Sequence, residues 1–538
     1  MTGTSTTTEG QKHEQATIAH LDPEKLLIGD NVRDLPTLSD AFVHSVREHG
    51  VLQPITALRD TATGEVTVLD GQLRTLAARE AGLVTIPVYL RDDTTMDTKA
   101  AVAVRVAHQI VTNDQRSGLT DAQRARGIQQ MLDAGVTVAK VAKRLAVPKD
   151  TVTAARTVTG STCALDALND GQLSLTEAAA LTEFDTDPDA VTRLINVAGQ
   201  PQFAHTVAAL RQERETAQAY DDAAAAWRER GFRILDQPPL WRDTTCVELR
   251  YLRRDGESVT EAVVTDPAHW AVLLEETASF VDRGTGEPVA EDDIDFDTEH
   301  RPDSDAAGGL RHFGTVIEKP TFTARYYCLD YQAAGLDLVE FLANARPVAP
   351  TDPDAANEQD GSGETAHAEA QRRERRKVLA LNRLGVAAQE VRRDFVAKLL
   401  TRKTPPKGAA IFVADCLTRD GYLLTQNNCG ELAAELLGLN DGAALRDAVA
   451  SLGATGDGRA QMFTLALVLG ALEARTPKDA WRNAATAQGV SGHWARSVTI
   501  ADYLTFLAAN GYTLAPVEQV ASGELSADEL FDRDSIDE

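Results

Sequence analysis

The chain has 538 residues, a formal net charge of −27, and 43% apolar residues. Because this length exceeds what one hydrophobic core supports, we expect about three or four domains. The five cysteines are odd in number, scattered and without a CxxC pair, which argues against a disulfide framework or a cysteine zinc site and favours a reducing compartment. With no signal-peptide core and no apolar run long enough to span a bilayer, the sequence predicts a cytoplasmic protein with no membrane segment.

The negative charge is unevenly distributed along the chain. Residues 101–160 carry nine Lys and Arg against four Asp, and residues 371–410 carry twelve Lys and Arg against three acids. Ten acidic residues lie in 281–310, and the last sixteen residues are strongly acidic. A polyanion would therefore be attracted to the two basic segments and repelled elsewhere.

The first part of the chain predicts a small α/β domain after a polar tail. Residues 1–22 are expected to be disordered. In 23–96, the strand-like runs EKLLIG, PITAL, EVTVL and IPVYL alternate with the helix LSDAFVHSVREHG and a second helix that follows Gly71.

The turn DGQLRT, between a strand and a helix, has two interpretations. Gly71 makes a tight turn in both of them. In one, Arg74 is a solvated side chain in the first helical turn. In the other, the N–H groups and dipole of the helix start attract an anion, and the Arg74 guanidinium completes a phosphate site. The stretch alone does not decide between them.

Residues 97–220 read as almost wholly helical and contain a helix-turn-helix pattern. In VTVAKVAKRLAVPKDTVTAARTV, one apolar helical face is followed by a break at Ala146-Val147-Pro148 and a second helix near Lys149. Such a pair can place its second helix in a DNA major groove. The alternative is a helical hairpin packed in a bundle, with the basic residues on its solvent-exposed face. The candidate DNA-binding residues are Lys140, Lys143, Arg144, Lys149, Thr151, Thr153 and Arg156.

The rest of the chain predicts a mixed, multidomain protein. Residues 221–345 should form an α+β domain of unknown role, with FRIL, CVELRYLRR and EAVVT as strands and PAHWAVLLEETASF as a helix. A linker (346–370), a mostly helical C-terminal domain (371–520) and an acidic tail (521–538) should follow. The C-terminal domain is a candidate dimer interface, because palindromic DNA sites pair with two-fold proteins.

Two charged stretches each have a second interpretation. The arginine-rich start of the C-terminal domain, Arg372 to Lys377, is either a second phosphate-binding patch or a solvated helix start. EDDIDFDTEH lacks the glycine and distal glutamate of a calcium loop, so it is interpreted as a solvated acidic segment.

Four segments in order resemble the ParB-like chromosome and plasmid partition family. They are Leu52-Gln53-Pro54-Ile55, the Gly71 turn, the stretch TNDQRSGL, and the helix-turn-helix. Together they cover about residues 24–185, so the resemblance implies a ParB/sulfiredoxin-like N-terminal domain followed by a DNA-binding domain.

The family resemblance also implies a nucleotide site. Family members bind CTP with a divalent metal. The candidate nucleotide-binding residues at the corresponding positions here are Gly71, Gln72, Arg74, Asn113, Gln115 and Arg116, with Asn113 as the candidate Mg²⁺ ligand. This sequence departs from the family at Gln72, Leu73 and Thr112, which replace a glutamate, an arginine and an acidic residue. These changes remove a phosphate-binding charge and a negative metal ligand.

The resemblance implies a nucleoid-associated homodimer that binds a palindromic, centromere-like site on double-stranded DNA and slides from it as a CTP-switched clamp. The resemblance allows a ParA-type ATPase partner, but the N-terminal segment does not support one, because the first thirty residues contain no arginine. The alternatives are a helix-turn-helix transcriptional regulator and a nucleotide-using enzyme of the same fold. No catalytic residues are identified, and any enzymatic activity is expected to be at most a weak, CTPase-like triphosphatase.

Overall fold

The computed structural model describes residues 17–28, 38–61, 63–93, 102–103, 106–107, 109–111, 119–239, 243–299, 305–343, 362–425, 429–453, 455–483 and 498–534. The chain divides into two compact units, Met1–Phe203 and Ala204–Glu538. No helix in the described ranges is long and apolar enough to cross a membrane.

The first unit opens with a five-stranded mixed sheet and two helices. Its elements are β1 (Thr17–Leu21), β2 (Leu26–Ile28), α1 (Asp40–His49), β3 (Ile55–Asp60), β4 (Val66–Asp70), α2 (Gln72–Glu80) and β5 (Ile86–Asp93). The strand order is β1-β5-β3-β4-β2. Ile55, Ala57, Val68, Ile86 and Val88 are fully buried and form a core with α1 and α2. The predicted α/β domain is therefore present.

One correction concerns the predicted disordered tail. Residues Thr17–Leu21, inside the segment 1–22, form edge strand β1, which pairs antiparallel with β5 along its whole length. Its side chains are mostly exposed, so the strand carries little burial signal in the sequence. Its backbone hydrogen bonds come from a partner about seventy residues away, which local composition does not reveal.

Seven helices follow in the part of the chain from residue 119 to 229. They are α3 (Asp121–Asp133), α4 (Val138–Leu145), α5 (Lys149–Thr159), α6 (Thr162–Asn169), α7 (Leu175–Leu181), α8 (Pro188–Asn196) and α9 (Phe203–Glu229). Capping boxes start α3, at Thr120 and Gln123, and α7, at Ser174 and Glu177. Helix α9 runs unbroken across the boundary predicted at residue 220.

The α+β part of the second unit is built around one long hairpin. The strands are β6 (Arg233–Leu235), β7 (Val247–Glu248), β8 (Leu252–Arg254), β9 (Glu257–Ser258), β10 (Trp270–Asp282), β11 (Pro288–Val289), β12 (Ile294–Asp295), β13 (Arg311–His312), β14 (Val316–Cys328) and β15 (Asp337–Leu338). Strands β10 and β14 pair antiparallel over thirteen residues, and β6, β7 and β11 extend the same sheet.

Two predictions in this region are wrong. The segment PAHWAVLLEETASF is strand β10 rather than a helix, and EAVVT contains a 3₁₀ turn, Glu261–Val263, rather than a strand. Trp270 to Leu274 form a continuous buried apolar run, which fits a buried strand as well as a helix. Pairing with β14 decided the outcome, because the two strands pair in register along the whole length of β10.

The C-terminal part of the second unit is helical. Its helices are α10 (Glu340–Ala343), α11 (Ser362–Leu400), α12 (Ala409–Arg419), α13 (Cys429–Leu436), α14 (Gly442–Ala450), α15 (Asp457–Ala474), α16 (Ile500–Ala509), α17 (Pro516–Ser522) and α18 (Ala527–Asp534). Helix α15 is buried nearly all round from Met462 to Glu473, so the apolar run FTLALVLGALEA is the central helix of this core.

Two boundary predictions need correction here. Helix α11 begins at Ser362, inside the predicted linker, and the rest of that linker lies outside the described residues. The predicted acidic tail 521–538 contains α18, which packs through the buried Leu530 against Leu381, Val520 and their neighbours. One buried leucine in an acidic stretch is a weak sequence signal.

Candidate functional site: the α2 turn and the helix-turn-helix

The start of α2 requires a glycine. Gly71 is the N-cap residue and has φ +92°, in the left-handed region, and no side chain caps the helix there. A Cβ at this position would lie 2.7 Å from Cγ2 of Ile55 and 3.0 Å from Nη2 of Arg74. Both the backbone conformation and the close packing therefore exclude a larger residue.

Arg74 links this turn to the Leu52-Gln53-Pro54 segment. Its Nη1 donates to the carbonyl oxygens of Gln53 at 2.7 Å and Pro54 at 3.2 Å. Its Nη2 lies 3.4 Å from the carboxylate of Asp70. The side chain is 18% exposed, so the interpretation of Arg74 as a solvated side chain is wrong. Two of the motifs in the sequence thus meet through one guanidinium.

Of the other predicted nucleotide-site residues, the structure describes only Gln72. Gln72 is buried at 4% exposure, so its side chain belongs to the packing of α2. Asn113, Gln115 and Arg116 lie outside the described residues. Within the described ranges, no group of three or more His, Cys, Asp or Glu side chains is placed to hold a metal ion.

The helix-turn-helix lies where the sequence predicts it. Helix α4 ends at Ala146, which has φ +54° and lets the chain turn sharply into α5. Val141 and Val152, one from each helix, are fully buried. The apolar faces are thus directed inward, which leaves the polar faces of both helices to solvent.

The predicted DNA-binding side chains lie mainly on this polar surface. Those exposed are Lys140, Lys143, Arg144, Lys149, Thr153 and Arg156. Thr151 is half-buried. We refer to the five exposed cations, Lys140, Lys143, Arg144, Lys149 and Arg156, as the basic face.

Two further polar side chains of α5, which the sequence interpretation did not single out, lie beside Thr153. Asp150 and Thr157 are exposed on α5 and, with Thr153, line a groove against α7. Their spacing, one helical turn between 150, 153 and 157, was available in the sequence. The hydroxyls of Thr153 and Thr157 donate to the carbonyls of Lys149 and Thr153, so both hydroxyls are already hydrogen-bonded within the helix.

The family comparison covers the Leu52-Gln53-Pro54 segment and the Gly71 turn. Residues 7–106 match the model of the ParB N-terminal domain. The chromosome-partitioning protein Spo0J of Thermus thermophilus is 36% identical over 138 residues, which is 26% of this chain and 48% of that protein. A probable chromosome-partitioning protein ParB of Pseudomonas putida is 31% identical over 181 residues, 32% of this chain and 59% of that protein. The chain thus spans about half the length of these relatives.

Solved structures of Caulobacter crescentus ParB, truncated at its C terminus, were also found. The complex with the centromeric parS site is 20% identical, covers 33% of this chain and 91% of that one, and has a TM-score of 0.25. The complex with CTP-γ-S is 24% identical, covers 34% and 99%, and has a TM-score of 0.16. These TM-scores are too low to support an argument about the fold. On the sequence matches, residues 7–106 resemble the ParB N-terminal domain, and the matched part of this chain resembles the ParB-like partition proteins.

Proposed function

We propose that the chain is a ParB-like partition protein that binds a palindromic site on duplex DNA through α4 and α5. The observation that carries this proposal is the basic face, because five exposed cations are concentrated on two short helices of a chain with net charge −27. In this proposal the cations of α4 contact phosphates, and Lys149, Thr153 and Arg156 on α5 contact bases or backbone. The names of the partition-protein relatives support the same role.

A salt-dependent gel shift tests the DNA proposal. The probes are genomic fragments of the source organism, and the chain is compared with K143A/R144A/K149A/R156A. Removing these four cations should lower the slope of log affinity against log salt by about 2, from the two α4 cations, and by up to about 4 if Lys149 and Arg156 also contact phosphates. The matched control is K398A/R402A/K403A/K407A, which removes four exposed cations of the second unit and should bind as the parent does. Equal retention of the parent and the α4–α5 variant would refute the proposal.

We also propose that CTP, with Mg²⁺, binds at the α2 turn and switches a homodimer to a sliding clamp. The support is the family resemblance, together with the contact of Arg74 to the Gln53 and Pro54 carbonyls, which holds two of the family's motifs side by side. Gly71 and Arg74 would hold the phosphates, and Gln72, Asn113, Gln115 and Arg116 are carried over by resemblance alone, with Asn113 as a metal ligand.

Isothermal titration with the four ribonucleoside triphosphates and Mg²⁺ tests the nucleotide proposal. We expect heat with CTP and a loss of that heat in Arg74→Ala. The control is Arg79→Ala, because Arg79 lies on the same helix and binds the Pro23 and Leu26 carbonyls instead. The absence of heat with all four nucleotides would remove the claim.

A further inference from the structure

The arginine-rich start of α11 is covered in part by the acidic helix α18. Arg373 Nη2 lies 2.5 Å from a carboxylate oxygen of Asp532, and Nη1 lies 3.9 Å from Asp528. Lys377 donates to Asp528 at 3.0 Å and pairs with Glu374 at 2.7 Å. The Arg373 guanidinium also lies 5.6 Å from the ring of Phe531. Part of this segment is thus paired with α18, and the rest of it is exposed to solvent.

The spacing of the two sets of charges is matched. Arg373 and Lys377 are one turn apart on α11, and Asp528 and Asp532 are one turn apart on α18. Residues four apart lie on the same helix face, so a pair of cations meets a pair of carboxylates. Helix α18 thus presents a short row of negative charges to a basic helix face, as a nucleic-acid backbone would.

The ion pairs between α11 and α18 are partly exposed, so other anions can compete for the cations of α11. The side chains of Asp528 and Asp532 are 62% and 57% exposed, Arg373 is 49% exposed, and Lys377 is 11% exposed beneath α18. Water and salt reach the Arg373–Asp532 pair, which weakens it. Arg375 and Arg376 are also exposed on the same segment, so a polyanion meets cations there before α18 moves.

We propose that α18 is a displaceable acidic cover over a second DNA-binding surface, formed by Arg373, Arg375, Arg376 and Lys377 on α11. The ligand is the phosphate backbone of duplex DNA, without sequence preference. In the covered state, Asp528 and Asp532 occupy the positions that phosphates take in the bound state. The proposal does not depend on the helix-turn-helix.

The test measures binding of a random-sequence duplex to the full chain by fluorescence anisotropy, across a salt series. The parent is K143A/R144A/K149A/R156A, so that Lys140 is the only cation of the basic face that remains. Adding D528N/D532N, which keeps side-chain shape and removes two charges, should raise affinity about three- to tenfold at low salt and steepen the salt slope by about 2. A further change, R373A/K377A, should abolish the gain.

The matched control is D292N/D293N, because these two carboxylates are exposed in the same unit, outside the α11–α18 contact, and their removal makes the same change in net charge. It should leave DNA affinity unchanged. Leu530→Ala, which loosens the apolar anchor of α18 and removes no charge, should also raise affinity, and circular dichroism checks that each variant is folded. No gain in D528N/D532N would overturn the proposal, as would a gain that survives R373A/K377A or appears equally in D292N/D293N.

Discussion

At the scale of single residues, Arg392 is a cation buried in the core of the second unit. It is 2% exposed on α11 and donates to Glu473 of α15 at 2.7 Å, to Glu518 of α17 at 2.7 Å and to the carbonyl of Thr476. Tyr503 and Tyr512 donate to the same two carboxylates. One guanidinium therefore joins three helices, and every polar partner is inside the core.

Arg392→Met should destabilise the second unit strongly. The change leaves two buried carboxylates without their main cation, a loss that costs about 3–5 kcal/mol in comparable buried pairs. Denaturant unfolding measures this loss of stability. The control is Arg393→Met, because Arg393 also contacts Glu473 but its side chain is partly exposed to solvent. A loss in Arg392→Met no larger than in Arg393→Met would contradict this account.

The same network predicts a loss of stability in acid. Burial by itself would raise the pKa of Glu473, but Arg392, Arg393 and Tyr503 outweigh burial and hold this pKa below the ordinary glutamate value. The network's contribution to the free energy of unfolding is therefore present above about pH 4.3 and is lost as the pH falls through the lowered folded-state pKa. Unfolding measured at several pH values should show a smaller acid dependence in Glu473→Gln than in the parent.

Gly71→Ala should destabilise the first unit. The new methyl meets Ile55 at 2.7 Å and the backbone has φ +92°, so strain and overpacking together cost about 1–3 kcal/mol. Gly64→Ala is the control, because Gly64 also has positive φ but no atom lies within 4 Å of its Cβ position. If both changes lowered the melting temperature equally, packing against Ile55 would have no part in the effect.

At the scale of elements, the turn of the helix-turn-helix holds a residue in an unfavourable conformation. Ala146 ends α4 with φ +54° and ψ +39°, a region in which a side chain is strained and glycine is not. The turn is therefore imposed by the packing of α4 on α5.

Ala146→Gly should stabilise the first unit. Relief of strain exceeds the greater unfolded-state entropy of glycine, for a net gain of about 0.5–1 kcal/mol. The control is Ala134→Gly, at the C-cap of α3 with φ −72°, where no strain exists and the change should destabilise. A lower melting temperature in Ala146→Gly would show that the turn is not strained.

At the scale of the whole molecule, the two compact units predict separable unfolding. Units Met1–Phe203 and Ala204–Glu538 have their own buried clusters, so each is expected to unfold as its own cooperative transition. Calorimetry should resolve two transitions or more. Gly71→Ala should shift one of them and Arg392→Met another, and a common shift of all transitions by either change would contradict the division.

The sequence by itself determined the α/β domain, the helix-turn-helix and the family resemblance. These rest on short-range signals: alternation in the strands, one apolar face on α4, the Gly71 turn, and motifs read in order. The exposed cations of the basic face followed from the same periodicity, because a helix that buries Val141 must expose its opposite side.

The tertiary structure alone decided which partner each segment takes. Strand β10 is a strand because β14 pairs with it, β1 is ordered by β5, and Arg74 contacts the carbonyls of Gln53 and Pro54. In the sequence, the basic residues of α11 and the acidic residues of α18 form two separate charged stretches. In the structure they contact each other, although about 150 residues separate partners such as Lys377 and Asp528. Composition and periodicity describe local preference, whereas long-range pairing depends on the three-dimensional arrangement that buries the apolar faces.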